Sequence, residues 1–177
     1  MAGVRAQSIS GPIPTNDNRQ DCFKINYGGV VFPQENKSSI GVIIRNSEGL
    51  VIASVAQQLS QAYQAAKIEA MAVVRALQFG MEVGLASVIV EGYCEMVAQT
   101  LTEVNTGLSI YEQLAKDANL FSDFFSNLLY SHTKSDGNKV AHSMVRLSIN
   151  FPDCVVWMED IPPPILHVIQ ADKVILI

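Results

Sequence analysis

The sequence predicts a mixed α/β domain, with a five-stranded sheet and helices on both of its faces. Apolar Phe23, Ile25 and Tyr27 alternate with polar residues, which is the period of a half-buried strand. Two further apolar runs follow, separated by a polar connection that contains glycine. The spacing of apolar residues then changes to three and four, the period of an amphipathic helix. An antiparallel meander that leads into alternating helices and strands is typical of a mixed sheet covered by helices.

The first three strands are predicted at residues 23–32, 40–45 and 50–58. Residues 46–49, with the sequence NSEG, connect the second strand to the third, as expected for an antiparallel hairpin. Gly28 and Gly29 lie within the first strand. A glycine inside a strand contributes no packing and usually marks a bulge or a close backbone approach.

One long amphipathic helix is predicted between Gln61 and Gly84, because small or apolar residues recur at positions 65, 68, 72, 76, 79 and 83. Gly84 stands where a helix commonly ends on glycine. The remaining predicted elements are a buried strand at 87–91, helices at 95–103 and 109–123, a strand at 127–132 and a helix at 138–149.

Composition divides the chain into three parts. Residues 1–20, rich in Ser, Pro, Asn and Gly, are predicted to form a flexible tail, residues 21–150 the domain, and residues 151–177, with three consecutive prolines, a C-terminal extension over the surface. Three widely spaced cysteines predict reduced thiols in an intracellular protein, nuclear or cytoplasmic. No stretch has the apolar length of a signal peptide or a membrane span.

The chain is acidic overall. With 17 acidic and 12 basic residues, the net charge is -5. Tight, sequence-independent nucleic-acid binding draws mainly on Lys and Arg, so this balance counts against it for the chain as a whole and leaves room for a local basic groove.

Five stretches carry a resemblance to a known family: KINYGG, IGVIIRNSEG, KIEAMAVVRAL, VIVEGYCE and SHTKSDGNKVAH, in this order. From about residue 24 to residue 149 the chain resembles the type-1 ribonuclease H fold. More narrowly, it is similar to plant ribonuclease H-like domains related to the module of reverse transcriptases. The resemblance implies a ribonuclease H-like fold. It also implies, as the family activity, endonucleolytic hydrolysis of the RNA strand of RNA–DNA hybrids, with two Mg²⁺ (or Mn²⁺) ions held by four carboxylates.

Carried over by resemblance, the four carboxylate positions fall on Gly28, Glu69, Tyr93 and His142. Only Glu69 keeps a carboxylate, and the resemblance makes it the metal ligand and a catalytic residue. Two Mg²⁺ ions need several hard oxygen ligands, so hydrolysis is expected to be weak or lost. An imidazole at position 142 suits zinc or copper better than Mg²⁺. Glu91, on the same strand face as Tyr93, is the one substitute carboxylate in that strand.

Around the last helix, the resemblance implies further functional residues. His132 lies six residues before Asn138, which is the family spacing for a histidine that assists proton transfer or product release. Lys134, Asn138 and Lys139 are expected to contact nucleic acid, and Arg146 adds to this basic strip. Without the resemblance, Glu69 is better explained as a solvated helix residue and His132 as an ordinary loop residue.

Three functions stay open on the sequence alone. The first is a hybrid-directed ribonuclease, and the second is a nucleic-acid-binding domain that keeps the fold without the chemistry. The third is a non-catalytic protein-interaction domain or domesticated retroelement remnant, whose protein partner the sequence does not identify. Binding that weakens steeply with salt would favour the second over the third, because counterion release is its physical signature.

Overall fold

The computed structural model describes residues 7–9, 22–92, 109–133 and 138–175. The strands in these ranges are β1 (Gln7–Ile9), β2 (Cys22–Phe32), β3 (Lys37–Arg45), β4 (Val51–Leu59), β5 (Ser87–Gly92), β6 (Asn127–His132) and β7 (Cys154–Met158). The α-helices are α1 (Ala65–Glu82), α2 (Ser109–Ser122), α3 (Lys139–Ser148) and α4 (Leu166–Ile175), and a 3₁₀ turn at Pro163–Ile165 precedes α4. None of the helices in the described ranges is long and apolar enough to cross a membrane.

The strands form one mixed sheet in the order β1-β6-β5-β2-β3-β4-β7. β2, β3 and β4 are antiparallel neighbours, whereas β2, β5 and β6 are parallel. The predicted mixed α/β fold is confirmed, and all five predicted strands are present. Their number is corrected to seven in the described part of the chain, because β1 pairs in parallel with β6 and β7 pairs antiparallel with β4.

The two additional strands lie in segments predicted as the N-terminal tail and the C-terminal extension. The extension also contributes to the core, since Ile165 and Ile169 are buried with Ile43 and Met144. It thus packs against the sheet and α3 instead of only crossing the surface. The division of the chain at residues 20 and 150 itself stays a prediction.

Helix boundaries follow local backbone chemistry. α1 is shorter than predicted because Gln64 is extended (φ -65, ψ 145), so the helix begins at Ala65. Gly84 ends it in the left-handed conformation (φ 82), with the N–H groups of Gly84 and Leu85 bonded to the carbonyls of Met81 and Gly80. The predicted helix at 95–103 lies outside the described residues.

Two hydrophobic clusters cover the two faces of the sheet. On one face, α1 packs over β2, β3 and β5, and its Val73 and Leu77 are buried with Ile25 and Val42. On the other face, α3 packs over β2, β3 and β4. The prediction of helices on both faces is confirmed.

Both helices approach the central hairpin of β2 and β3 closely, because two positions of this hairpin are glycines. A Cβ atom built at Gly29 would lie 2.9 Å from the carbonyl oxygen of Ile68 in α1. A Cβ atom at Gly41 would lie 2.6 Å from the backbone nitrogen of Val145 in α3. Because backbone atoms cannot move aside as a flexible side chain can, both glycines are required by packing. The close backbone approach that the sequence predicts for the Gly28-Gly29 pair occurs at Gly29.

Substituting these glycines tests the packing constraint. We expect Gly29→Ala and Gly41→Ala each to lower the free energy of unfolding by about 1–3 kcal/mol, the usual cost of overpacking a core. Urea denaturation measures this change in the free energy of unfolding.

Gly28→Ala is the matched control on the same strand. A Cβ atom at Gly28 would meet nothing closer than 3.7 Å. A methyl group there leaves the stability unchanged or raises it by about 0.5–1 kcal/mol, because glycine costs entropy within a strand. Equal destabilisation by all three substitutions would contradict the packing argument.

Candidate functional site

The candidate site begins at Gly28, in the middle of β2. Gly28 pairs with Gly41 and shares with it the sheet face that α3 covers. The space next to Gly28 is bounded by Asn138, His142 and Val145, whose nearest atoms lie 3.7–3.9 Å from a Cβ atom built there. The structure therefore brings together Gly28 and His142, two of the positions where the resemblance places a carboxylate.

Asn138 joins the start of α3 to β2. Its side chain is 1% exposed, and its Nδ2 group donates a 2.8 Å hydrogen bond to the carbonyl of Tyr27. The Oδ1 atom of Asn138 is buried and has no hydrogen-bond partner. The amide thus holds the helix against the strand. The predicted nucleic-acid contact of Asn138 stays a prediction, and burial favours a positioning role for this residue.

His142 contributes a neutral imidazole to the site. Burial lowers the pKa of its side chain, and the positive charge of Arg146 one helical turn away lowers it further. Its Nε2 atom is buried and lacks a hydrogen-bond partner. At neutral pH this side chain therefore offers one donor and one acceptor without charge.

Glu69 lies in α1, next to the residue that contacts Gly29. The backbone N–H of Gly29 donates a hydrogen bond to its carboxylate, and the Oε2 atom is buried without a partner. Burial raises the pKa of Glu69 from 4.5 to about 7, because loss of hydration outweighs the stabilising hydrogen bond from Gly29. The carboxyl group is thus partly protonated at neutral pH.

Two further predicted residues, His132 and Lys139, lie in the described ranges. His132 is the exposed last residue of β6 and pairs with Gly92, the last residue of β5. Gly92 follows Glu91, which pairs with Asn26 of β2. His132 therefore lies level with the middle of β2, two strands and roughly 10 Å away. Lys139 is exposed at the first position of α3. Tyr93 and Lys134 lie outside the described residues.

Glu91, the substitute carboxylate suggested by the sequence, is engaged elsewhere. It forms an ion pair with Lys24 at 2.9 Å, on the same sheet face as Gly28. Next to this pair, Arg45 is only 5% exposed and donates a 2.7 Å hydrogen bond to the Oδ1 atom of Asn26. The negative charge of Glu91 is therefore balanced by Lys24.

Among the residues that the structure describes, the side chains around Gly28 do not supply the ligands of a pair of Mg²⁺ ions. No three His, Cys, Asp or Glu side chains come together as metal ligands in the described ranges. The buried polar atoms without a hydrogen-bond partner include one carboxylate oxygen of Glu69, the amide oxygen of Asn138 and an imidazole nitrogen of His142. Two dications held about 4 Å apart need several carboxylates to offset their repulsion, and Mg²⁺ prefers oxygen ligands in octahedral geometry.

Solved structures define the class of fold. Ribonuclease H1 from Halobacterium salinarum superposes with a TM-score of 0.67 at 15% identity, covering 73% of this chain and 98% of that one. The N-terminal RNase H domain of a Mycobacterium tuberculosis protein gives 0.65 at 14% identity, over 73% and 94%. LC11-RNase H1 in complex with an RNA/DNA hybrid gives 0.62 at 21% identity, over 72% and 96%. The chain therefore has a ribonuclease H-like fold.

A family model narrows this class. The model for the reverse transcriptase-like family matches residues 26–148. The chain belongs to this family, as the sequence motifs predicted. No curated protein matches the chain.

The unusual pKa of Glu69 makes stability depend on pH. The folded-state pKa of about 7 lies above the ordinary 4.5, so protonation of Glu69 stabilises the folded state. This contribution is fully present below about pH 4.5 and is lost as the pH rises through about 7. Between pH 5 and pH 8 we expect the wild type to lose about 2 kcal/mol of unfolding free energy relative to Glu69→Gln.

Urea denaturation at the two pH values measures this difference. Glu48→Gln, at an exposed carboxylate in the turn before β4, is the matched control and follows the wild-type profile. Because His142 titrates in every variant, its contribution cancels. Identical pH profiles for the wild type and Glu69→Gln would contradict the burial of this carboxyl group.

Proposed function

We propose that this protein is a ribonuclease H-like nucleic-acid-binding domain in which hydrolysis of RNA–DNA hybrids is weak or lost. The observation that carries the proposal is the space beside Gly28, which opens onto an amide and an imidazole. The groups beside Gly28 are neutral and cannot concentrate two dications. Glu69 and His132 would keep their family roles only in a residual activity.

The proposed binding surface is the exposed side of α3. Lys139 and Arg146 are exposed, and both lie on the helix face that His142 shares, because residues three, four and seven apart are neighbours on a helix. Asn138 fixes the start of this helix next to β2, and Lys134 extends the strip in sequence. The hybrid bound to LC11-RNase H1 supports nucleic acid as the ligand class. Hybrids are recognised mainly through groove shape, phosphates and 2′-hydroxyl groups, which neutral donors can also contact.

Binding and its salt dependence test the proposal. We expect a fluorescein-labelled RNA–DNA hybrid to bind with an affinity whose logarithm falls with log[salt] at a slope of about -2 to -3, since two or three phosphates are neutralised. Lys139→Ala and Arg146→Ala each reduce the slope by about one. Fluorescence anisotropy between 20 and about 200 mM NaCl provides the measurement.

Lys116→Ala is the control for these variants. Lys116 is an exposed lysine of α2, which packs on α1 and so belongs to the opposite face of the sheet. Removing its charge leaves the slope unchanged. If no binding occurs even at low salt, the nucleic-acid proposal fails, and a protein-interaction domain or domesticated retroelement remnant becomes the better explanation.

A cleavage assay tests the catalytic part of the proposal. With Mg²⁺ or Mn²⁺, we expect the wild type to cut a labelled hybrid no faster than Glu69→Gln, because a single carboxylate does not hold two dications. Denaturing electrophoresis of the RNA strand gives the rate. Metal-dependent cleavage that disappears in Glu69→Gln would show that Glu69 still organises a metal site. The same assay tests whether cleavage is gained when carboxylates are restored by Gly28→Asp, Tyr93→Asp and His142→Asp.

A further inference from the structure

β7 leaves one edge of the sheet open. Within the described ranges, it is the last strand in the sheet order and pairs only with β4. The N–H of Gln58 bonds to the carbonyl of Asp153 at 2.8 Å, and the N–H of Glu159 bonds to the carbonyl of Ile52 at 2.8 Å. Since bonded residues alternate along an antiparallel ladder, the backbone groups of Cys154, Val156 and Met158 point away from β4.

The same three residues form an exposed apolar row. Cys154 is exposed, and Val156 and Met158 are 46% and 54% exposed. They pair with Gln57, Val55 and Ala53, so their side chains share one face of the sheet. Natural edge strands are commonly blunted by an inward-pointing charge, a proline or a bulge, and Cys154–Met158 contains neither a charge nor a proline.

Acidic side chains lie at both ends of β7. Asp153 precedes the strand, Glu159 and Asp160 follow it, and all three are exposed. None of these three is in an ion pair with another residue in the described ranges. The open edge therefore has an apolar centre and a negative charge at each end.

We propose that the β7 edge binds an extended peptide segment of a partner protein by adding it to the sheet as a further strand. The outward N–H and C=O groups of β7 would bond to the peptide backbone. Apolar side chains at alternate peptide positions would pack beside Val156 and Met158, and Lys or Arg at the peptide ends would face Asp153 and Glu159. The partner segment is thus an alternating apolar strand with basic ends.

The charges also select against a second copy of this chain. An antiparallel dimer centred on Val156 would pair the full length of the two strands. This register places Asp153 opposite Glu159 of the other copy at both ends of the strand pair. Like charges directly opposite each other destabilise strand pairing, whereas a basic peptide gains from the same acids.

The test uses two acetylated and amidated heptapeptides in which valine and threonine alternate, matched in length to the seven residues from Asp153 to Glu159. One has lysine at both ends and the other has glutamate. We expect the lysine-ended peptide to bind the full chain at least about tenfold more tightly, because only it complements the acidic ends. A lysine-ended peptide with proline at its centre does not bind, since it cannot form the strand. Anisotropy of the labelled peptides measures binding, and Trp157, the only tryptophan in the sequence, reports from within β7.

Two variants assign the binding to this edge. Val156→Pro removes an outward N–H group that does not bond to β4, and we expect it to weaken binding of the lysine-ended peptide at least about tenfold. The double variant Asp153→Lys/Glu159→Lys, which keeps the backbone intact even if Val156→Pro does not fold, inverts the preference between the two peptides. Glu35→Lys/Asp123→Lys makes the same charge change at exposed sites away from β7 and leaves the preference unaltered.

Three results would overturn the proposal. The first is a wild type that binds neither peptide, or binds both equally. The second is a charge-reversed variant with the wild-type preference. The third is a wild type that sediments as a dimer while Val156→Pro sediments as a monomer, which would assign the edge to a second copy of the chain.

Discussion

The structure depends on the close approach of α1 and α3 to opposite faces of the β2–β3 hairpin. This approach also positions the candidate site. The backbone atom of α1 nearest to Gly29 is the carbonyl oxygen of Ile68, so Glu69 follows immediately and receives the hydrogen bond from Gly29. On the other face, the backbone atoms that approach Gly41 come from Ala141 and Val145, which flank His142. Two glycines thereby place the carboxyl group and the imidazole, and the backbone N–H of Gly29 also bonds to the carboxyl group.

Burial without an opposing charge drives both titratable groups of the site toward neutrality. The pKa of Glu69 rises and the pKa of His142 falls, and loss of hydration is the main cause in each case. A cluster of carboxylates in the same place would repel one another and would need cations to be stable. The present side chains need none, because Asn138 and His142 are neutral and Glu69 is partly protonated at neutral pH. The site is therefore compatible with a stable folded state in the absence of metal.

Periodicity predicted the central strands and the helices α1, α2 and α3, because each of these buries one face and repeats its apolar residues accordingly. It did not predict β7, because both faces of this strand carry apolar residues. Val155 and Trp157 face one side and Val156 and Met158 face the other, so polar and apolar residues do not alternate. It did not predict β1 either, because three residues in a polar segment form a strand only where β6 offers an open edge.

The sequence predicted some of the residues that lie together at the candidate site, but it did not predict their burial or their hydrogen bonds. The family resemblance assigned Gly28 and His142 to one site, and the structure places both next to Asn138. The burial of Glu69 and the anchoring of Asn138 depend on contacts between distant parts of the chain. The hydrogen bond from Asn138 to Tyr27 joins α3 to β2, and no local pattern encodes it.

The pairing of β1 with β6 has a consequence for the order of folding. Gln7 leaves the ribosome early, whereas its partner Leu129 is synthesised only after β2 to β5 and α1. Closing so long a loop costs chain entropy that three paired residues repay only weakly. We therefore expect the edge strand to dock late onto a sheet that is already formed, and to detach readily when the protein opens locally. For an interval during synthesis, β6 presents an unprotected edge to whatever chaperone or neighbouring chain is close to the ribosome.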